Sequence, residues 1–216
     1  MQSLVLKYLS SNATVIQTSW LSRPSPDIAP ELIGCWLVRQ WPTGETIRSL
    51  IVEAEAYTSG DPACHAYRRR TPRNSVMFGP AGKAYVYLIY GMYHCFNVVT
   101  DDDGIPSAVL LRAVELERVP EGVETSKKNP RDRLGAGPGK LCRVLDITLA
   151  HTQQPLIPSA GLWLEHRSPE CQQDIESGLL SITQTTRIGL TQGTDIPWRW
   201  YLENSPAVSK RAVKKM

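Results

Sequence analysis

A long apolar run that carries two carboxylates constrains the fold of this chain most strongly. Residues 45–57 read ETIRSLIVEAEAY and follow a second apolar run, CWLVRQW at 35–41, across the turn residues Pro42-Thr43-Gly44. Two such runs on either side of a turn predict an antiparallel β-hairpin. Other β-rich runs predict a second hairpin around Gly91 and further strands, within residues 83–100, 107–116, 161–167, 185–190 and 197–203.

Helix signals are few along the chain. Residues 22–36 predict one short helix, capped by Asp27 and ending at Gly34, and residues 137–147 predict a loop that opens a second one. Because the strands do not alternate with helices, we expect an α+β fold with a curved antiparallel β-sheet, short flanking helices and a protruding β-hairpin. The expected organisation is an N-terminal arm, loosely attached, at 1–20, a single domain at 21–208 and a basic C-terminal tail at 209–216.

Composition and spacing exclude several classes of protein. The five cysteines form no CxxC pair and the four histidines form no metal-binding pattern, so we expect reduced thiols, no metal and a cytoplasmic protein. No stretch approaches 18 apolar residues, so we expect no membrane span. The net charge is only +3, but basic residues cluster at 68–73, 127–133 and 210–215. Such clusters suit nucleic acid, although solvated surface charge is the commoner explanation for any one of them.

The stretch VEAEAY at 52–57 places two glutamates on one face of a strand. Side chains at i and i+2 share a face, so Glu53 and Glu55 lie beside Tyr57, while the opposite face is uniformly apolar. A carboxylate at a strand end beside an aromatic ring suits a general base. Surface glutamates on an edge strand are the alternative, and these six residues alone favour that alternative.

Two further stretches suggest contacts with a polyanion. The tip of the second hairpin carries Tyr90, Met92 and Tyr93, which are costly to expose unless they insert into something such as a DNA groove. A hairpin folded back onto the core is the equally weighted alternative. The segment RRRTPRN at 68–74, with Arg73, predicts a stiff basic loop suited to phosphate contacts.

The glycine-rich stretch GAGPGKL at 135–141 is not a P-loop. That motif needs glycine at position 134 and serine or threonine at position 141, and leucine occupies both. A glycine-rich helix start with Lys140 remains as a candidate contact for one backbone phosphate.

Together these stretches resemble a known family. EAEAY, TPRN, YVYLIYGMY and VLLRA, followed by GPGKLC, resemble the alkyladenine (3-methyladenine) DNA glycosylases over residues 22–208. The resemblance implies one mixed α+β domain that excises alkylated or deaminated purines from double-stranded DNA. It also implies a monomer that needs no metal and no cofactor, located at the nucleoid in a bacterium or in the nucleus of a eukaryote.

Residue by residue, the resemblance assigns roles to matched positions. Glu55 falls on the base that activates water, and Glu53 matches a glutamate that is not the base. Arg112 matches an arginine that helps to hold the water. The walls around the flipped base fall on Tyr57, His65 and Tyr87.

Other matched positions concern selectivity and DNA contacts. Asn97 falls on the residue that crowds a purine 2-amino group and so disfavours normal guanine. Tyr90 falls on the tyrosine that fills the gap left by the flipped nucleotide. The positions expected to bind DNA, with Arg73 from the basic loop, are Thr71, Arg73, Met77, Met92, Tyr93 and Lys140.

The sequence departs from the family pattern in three places. The segment 117–135 is short where relatives carry a longer arginine-rich helix, Arg69 replaces a frequent glycine, and the loop 57–65 is compact and contains Cys64. None of these falls on the matched base.

The matched residues predict a specific chemistry. A water nucleophile and one glutamate suffice for hydrolysis, so no covalent enzyme adduct is expected. No lysine falls at a matched catalytic position, and we therefore expect no strand-cleaving lyase activity. Two alternatives remain: a carbohydrate glycosidase that uses the Glu53–Glu55 pair, and a non-catalytic binder of damaged DNA.

Overall fold

An antiparallel sheet of eight strands forms the centre of the computed structural model, which describes residues 4–9 and 13–212. The strands are β1 (Trp36–Gln40), β2 (Thr46–Tyr57), β3 (Ala84–Ile89), β4 (Tyr93–Val99), β5 (Ala108–Leu116), β6 (Leu162–Glu165), β7 (Ile182–Thr185) and β8 (Arg199–Leu202). The helices are α1 (Leu4–Tyr8), α2 (Thr18–Leu21), α3 (Ser25–Leu32), α4 (Pro138–Val144) and α5 (Pro169–Glu176). The predicted α+β class with an antiparallel sheet and short helices is confirmed.

Strand β2 is the axis of the sheet. The path runs β3-β4-β5-β2-β1-β6, and β8 pairs with both β2 and β7. One edge of β2 pairs with β5, whereas the other edge pairs with β1 over 46–50 and with β8 over 53–55. The two glutamates of β2 therefore lie between β5 and β8, and each of these strands brings an arginine to them.

The pairing of β2 with β5 is irregular at the glutamates. Ile51 pairs with Val114, Glu53 with Ala113 and Ala54 with Leu111. The register thus skips Val52 on β2 and Arg112 on β5. Irregularities of this kind re-aim side chains next to active sites, and here the guanidinium of Arg112 reaches both glutamates.

The strand predictions are mostly confirmed, with one error. Both hairpins form, and strands occur within 107–116, 161–167 and 197–203. The predicted strand at 185–190 is wrong, because β7 ends at Thr185 and the following residues form a loop. That loop bonds to the end of β2 and to Asp61 rather than to a neighbouring strand.

The helix predicted near the N-terminus forms, but Asp27 is not its cap. Helix α3 begins at Ser25, and Pro24 occupies the capping position without a side-chain hydrogen bond. Asp27 lies in the first turn of the helix, where a carboxylate is favoured by the helix dipole. Helix α4 confirms the helix predicted within 137–147.

The chain termini pack more closely than expected. Val5, Tyr8 and Ile16 are buried in the main core, and Val15 forms an isolated bridge with Glu165. The described part of residues 1–20 is therefore attached to the domain. Residues 209–212 of the tail also bond to the domain, and residues 213–216 lie outside the described part of the chain.

The β3–β4 hairpin ends in an exposed aromatic tip. Tyr90 is 82% exposed and Met92 is 66% exposed, so the alternative of a tip folded onto the core is wrong. Tyr90 also has a φ of +53°, a backbone conformation that is uncommon for a residue with a side chain. The second, smaller core cluster lies behind the base of this hairpin and includes Met77 and Tyr85.

Candidate active site

A cavity of about 390 Å³ opens beside the exposed hairpin tip. Its volume lies within the range of about 300–1,000 Å³ that is typical of small-molecule pockets. Its lining comes from β2, β3, β4, β5, the 61–78 region, the start of α4 and the loop after β7. Nine of the residues singled out in the sequence line it: Tyr57, His65, Arg73, Met77, Tyr87, Tyr90, Tyr93, Asn97 and Arg112.

Glu55 lies directly behind the lining of this cavity. Its side chain is fully buried, and three donors hold its carboxylate. Oε2 accepts hydrogen bonds from the Tyr57 hydroxyl at 2.8 Å and from Nη1 of Arg112 at 3.2 Å, while Oε1 accepts one from the Ile188 amide at 2.8 Å. A carboxylate has about four acceptor sites, so one site is left for a further donor such as water.

Arg112 is shared between the two glutamates of β2. Its Nε lies 3.1 Å from Oε1 of Glu53, and its Nη1 lies 3.2 Å from Oε2 of Glu55. Burial alone would lower the pKa of Arg112, but the charges of Glu55 and Glu53 raise it. The guanidinium therefore remains charged and fixes the orientation of both carboxylates.

Glu53 is a buried structural partner and does not line the cavity. Its Oε1 accepts hydrogen bonds from Arg112, from Arg199 at 2.9 Å and from the Ser209 hydroxyl at 2.9 Å, and its Oε2 accepts one from the Ser209 amide at 2.7 Å. Three of these donors converge on Oε1, and Oε2 takes only one of them. Arg199 and Ser209 do not line the cavity, whereas all three donors to Glu55 belong to residues that line it.

Aromatic rings form the walls of the cavity. The rings of His65 and Tyr87 meet edge to face with centroids 4.5 Å apart, and Nδ1 of His65 lies 2.8 Å from the Tyr85 hydroxyl. One side of the His65 ring faces the cavity. Burial of the rest of the ring lowers the pKa of His65, and the charge of Arg73 lowers it further. Burial raises the pKa of Tyr87 above its ordinary value and that of Tyr85 to about 12. At neutral pH these rings are uncharged surfaces suited to stacking.

A buried ion pair supports Tyr57 from outside the cavity. The guanidinium carbon of Arg187 lies 4.6 Å from the centroid of the Tyr57 ring, and Arg187 is paired with both carboxylate oxygens of Asp61. Arg187 also donates a 2.8 Å hydrogen bond to the Ala56 carbonyl. Both charged groups are fully buried. The Arg187–Asp61 pair therefore connects the Tyr57 ring to the loop at 61–66.

Asn97 is oriented by the backbone of the neighbouring strand. Its amide nitrogen donates a 3.0 Å hydrogen bond to the Tyr85 carbonyl, and the side chain is 4% exposed. Asn97 lines the same cavity as the aromatic rings. A ligand ring held between those walls would therefore meet a fixed amide group at this point.

The expected DNA-binding residues do not all reach the cavity. Arg73 lies at its rim with the guanidinium carbon 5.2 Å from the Tyr87 centroid, and Thr71 lines a smaller neighbouring depression with His65. Met92 lies at the hairpin tip outside the lining. Lys140 lies on α4, and its amino group bonds to Oδ1 of Asn129 at 3.0 Å, in the segment before that helix.

Three contacts of the site were missed from the sequence. They are the Ile188 amide on Glu55, the Arg187 guanidinium on Tyr57, and the Tyr85 hydroxyl on His65. A backbone amide carries no residue signature, and a buried arginine cannot be distinguished from a surface one by its type. Tyr85 lies two residues before Tyr87 on β3, and the alternation of a strand puts both rings on one face without separating their roles.

The described residues offer neither a metal-binding cluster nor a membrane-spanning helix. Within residues 4–9 and 13–212, no group of three or more histidine, cysteine, aspartate or glutamate side chains is arranged to hold a metal ion. In the same part of the chain, no helix is both long enough and apolar enough to cross a membrane.

Comparison with known proteins identifies relatives along nearly the whole chain. A family model described as methylpurine-DNA glycosylase matches residues 19–206. A protein of Trichodesmium erythraeum is 58% identical over 93% of this chain and all of its own length, and one of Synechococcus sp. is 53% identical over 88% of this chain and 96% of its own length. A protein of Methanocella arvoryzae is 42% identical over 92% of this chain and 97% of its own length. All three carry the name "Putative 3-methyladenine DNA glycosylase".

Proposed function

The chain belongs to the methylpurine-DNA glycosylase family, and we propose that it releases alkylated and deaminated purines from duplex DNA. The substrate class is that of 3-methyladenine, 7-methylguanine, hypoxanthine and ethenoadenine. The product is a free base and an abasic site. The proposed active form is a monomer. Its location is that of the DNA, which is the cytoplasm of a bacterium or the nucleus of a eukaryote.

The first step is extrusion of the damaged nucleotide from the duplex. Flipping costs a few kcal/mol, and least for a base that is already mispaired or damaged. Tyr90 stands 82% exposed at the hairpin tip and at the rim of the cavity, where it can enter the space that the base leaves. Stacking on an aromatic ring recovers about 1–3 kcal/mol per base.

The aromatic walls then receive the flipped base. Tyr57, His65 and Tyr87 offer uncharged ring faces within one cavity, and an alkylated purine is a cationic, electron-poor ring that stacks well on such faces. The fixed amide of Asn97 crowds a purine 2-amino group and so disfavours normal guanine, whereas 7-methylguanine remains a substrate because its alkylated base is a better leaving group. Selectivity thus comes from both the cost of flipping and the shape of the cavity.

Hydrolysis needs one activated water. Glu55 accepts a proton from the water, the water oxygen bonds to C1′ of the deoxyribose, and the base departs with the electrons of the N-glycosidic bond. An N3- or N7-alkylated purine leaves as a neutral molecule. The negative charge of Glu55 also stabilises the positive charge that grows on the sugar, while Arg112 holds the carboxylate in place.

The residues around the cavity favour hydrolysis without a covalent intermediate. No lysine is found among the cavity-lining residues in the described part of the chain, and a lyase of the Schiff-base type requires an amine nucleophile. We therefore propose a monofunctional glycosylase.

The observation that carries this proposal is the carboxylate of Glu55, which three donors orient behind an aromatic cavity and which retains one acceptor site. Glu53 is instead held by Arg199 and Ser209, which lie outside the cavity lining. This difference favours Glu55 as the general base and also argues against a carbohydrate glycosidase, which would need two carboxyl groups at the substrate.

The test is release of free 3-methyladenine from methylated duplex DNA by Glu55→Gln. General-base catalysis contributes about 10²–10⁴-fold, so the single-turnover rate should fall by roughly that factor. The matched control is Glu165→Gln, another buried glutamate paired with an arginine, on β6 outside the cavity; it should retain nearly full activity. Normal release by Glu55→Gln would refute the role of Glu55, and wild-type protein that binds damaged duplex without releasing any base would instead be a non-catalytic binder.

A further inference from the structure

Two of the three donors that hold the Glu55 carboxylate lead back to one buried residue, Arg199 on β8. One support is Arg112, which Glu53 holds through Nε. The other is the amide of Ile188 in the loop after β7. Arg199 contacts Glu53 and the loop that carries Ile188, although it is not itself among the residues that line the cavity.

The contact with Glu53 balances the charges behind the cavity. Nη1 of Arg199 donates a 2.9 Å hydrogen bond to Oε1 of Glu53, and both side chains are nearly or fully buried. The buried cluster contains two carboxylates and two guanidiniums, so its charges cancel. Without Arg199, Arg112 would be the single guanidinium paired with Glu53. Arg112 is also the ion-pair partner of Glu55.

The contact with the loop fixes the second support. Nε of Arg199 donates a 2.9 Å hydrogen bond to the Thr186 carbonyl, two residues before Ile188. Arg199 thus joins the strand that carries both glutamates to the loop whose amide caps Glu55. A lysine at this position would keep the charge but has no rigid fork to make both contacts.

The C-terminal segment, residues 205–212, closes the same cluster from the other side. Ser209 donates two hydrogen bonds to Glu53, from its amide at 2.7 Å and its hydroxyl at 2.9 Å, and the Lys210 carbonyl accepts a 2.8 Å bond from Nη1 of Arg199. The segment is also anchored away from Glu53, since Ser205 donates to Glu115 and Arg211 donates to the Ser205 carbonyl. A substitution at Ser209 therefore removes a contact with Glu53, whereas a substitution at Ser205 or Arg211 removes a contact elsewhere in the segment.

We propose that Arg199 and Ser209 are positioning residues for the chemical step, and that within residues 205–212 the support of catalysis comes from the contacts of Ser209 with Glu53 and not from the anchoring contacts of Ser205 and Arg211. Arg199 acts through Glu53 on Arg112 and through the Thr186 carbonyl on the Ile188 amide. Ser209 acts by completing the hydrogen bonds of Glu53. The inference rests on the proposed role of Glu55 as general base.

The experiment compares Arg199→Gln, Arg199→Lys and a matched control, Arg211→Gln. The control removes one positive charge and contacts with backbone carbonyls near the same segment, but Arg211 does not contact Glu53. Single-turnover release is measured with enzyme in saturating excess over a duplex that carries one ethenoadenine. Affinity for a duplex with a tetrahydrofuran abasic-site analogue is measured in parallel.

Misplacement of a catalytic group by about 1 Å can cost about 100-fold in rate. We therefore expect Arg199→Gln to lose roughly 100-fold in the single-turnover rate, Arg199→Lys to recover part of that loss, and Arg211→Gln to stay within about twofold. Affinity for the abasic duplex should change by less than about threefold in all three, since phosphate contacts dominate binding. Equal rates for Arg199→Gln and Arg211→Gln, or no recovery by lysine, would overturn the proposal.

Two variants that each remove a single hydroxyl group test the proposal if Arg199→Gln does not fold. Ser209→Ala removes only the hydroxyl contact with Glu53, and Ser205→Ala removes a hydroxyl contact with Glu115 in the same segment. We expect Ser209→Ala to lower the single-turnover rate by roughly 5–10-fold and Ser205→Ala to lower the melting temperature while leaving the rate unchanged. Similar rates for the two variants would contradict the proposal.

Glu55→Gln in the same assay separates this inference from the proposed function. If Glu55→Gln retains its rate, the general-base assignment fails and the inference fails with it. If Glu55→Gln is inactive while Arg199→Gln and Ser209→Ala have wild-type rates, only the positioning role is wrong.

Discussion

The hydroxyl of Tyr57 donates a 2.8 Å hydrogen bond to Oε2 of Glu55, two residues earlier on the same strand. One side chain thus forms a wall of the cavity and also orients the carboxylate behind it. Burial and then the charge of Glu55 hold the pKa of Tyr57 well above its ordinary value of 10. The hydroxyl therefore remains a hydrogen-bond donor throughout the physiological pH range. The ring that would stack on the flipped base is thus the same side chain that orients the proposed general base, Glu55.

Tyr57→Phe separates these two roles. The ring remains available for stacking, but a buried carboxylate loses a donor, and a hydrogen bond to a charged group contributes about 1.5–3 kcal/mol. We expect the single-turnover rate to fall by about 10-fold or more and the affinity for a lesion-containing duplex to be nearly unchanged. Equal losses in rate and affinity would show that the hydroxyl acts on binding.

The buried pair of Arg187 and Asp61 predicts a large loss of stability on disruption. Asp61→Asn leaves the Arg187 guanidinium buried without its charged partner, which typically costs about 3–5 kcal/mol. Urea unfolding monitored by tryptophan fluorescence measures this loss. The double variant Asp61→Asn/Arg187→Met should be more stable than Asp61→Asn alone, because it removes the unpaired charge. If the double variant is the less stable of the two, the pair is not the source of the cost.

The sequence allowed the strands to be predicted from local alternation, and nine of the cavity-lining residues to be predicted largely from the family resemblance. Glu55 and Tyr57 lie on one strand with a two-residue period, and Tyr85 and Tyr87 lie on another. The supports of Glu55 could not be predicted in this way. Ile188 is 133 positions from Glu55 and Ser209 is 156 positions from Glu53, so only the fold brings them together.

Long-range contacts also explain the one strand that was predicted wrongly. Residues 185–190 contain an apolar pattern that suits a strand. In the structure, however, the Ile188 amide bonds to Glu55 and the Arg187 side chain bonds to Asp61 and Ala56. Tertiary contacts with the site thus override a local preference, which is common for short β-rich runs.

Arg73 is expected to control the protonation of His65. Burial lowers the pKa of His65 below its ordinary value of 6.5, and the charge of Arg73 lowers it further. Arg73→Gln removes that charge, so the pKa of His65 should rise toward 6.5. NMR titration of the His65 ring protons measures the change, and an unchanged or lower pKa would contradict the assignment.

The same lowered pKa determines the direction of a stability effect. As the pH falls through 6.5, the unfolded chain binds a proton at His65 before the folded chain does. The contribution of His65 to the free energy of unfolding is therefore complete above pH 6.5 and is lost below it. In Arg73→Gln, urea unfolding should show a smaller loss of stability between pH 7.5 and pH 5.5 than in the wild-type protein.

Tyr90 should act on flipping and not on folding. Its side chain is 82% exposed and its backbone has a φ of +53°, so Tyr90→Ala removes little packing and should leave the melting temperature almost unchanged. Loss of the stacking interaction, at about 1–3 kcal/mol, should lower the single-turnover rate on duplex DNA by roughly 5–100-fold. The rate on a single-stranded oligonucleotide with the same lesion should change much less, because no gap has to be filled. The control is Leu179→Ala, a 75% exposed apolar residue outside the cavity, which should have no effect on either substrate. An equal loss on duplex and single-stranded DNA would assign Tyr90 to the cavity instead of the duplex.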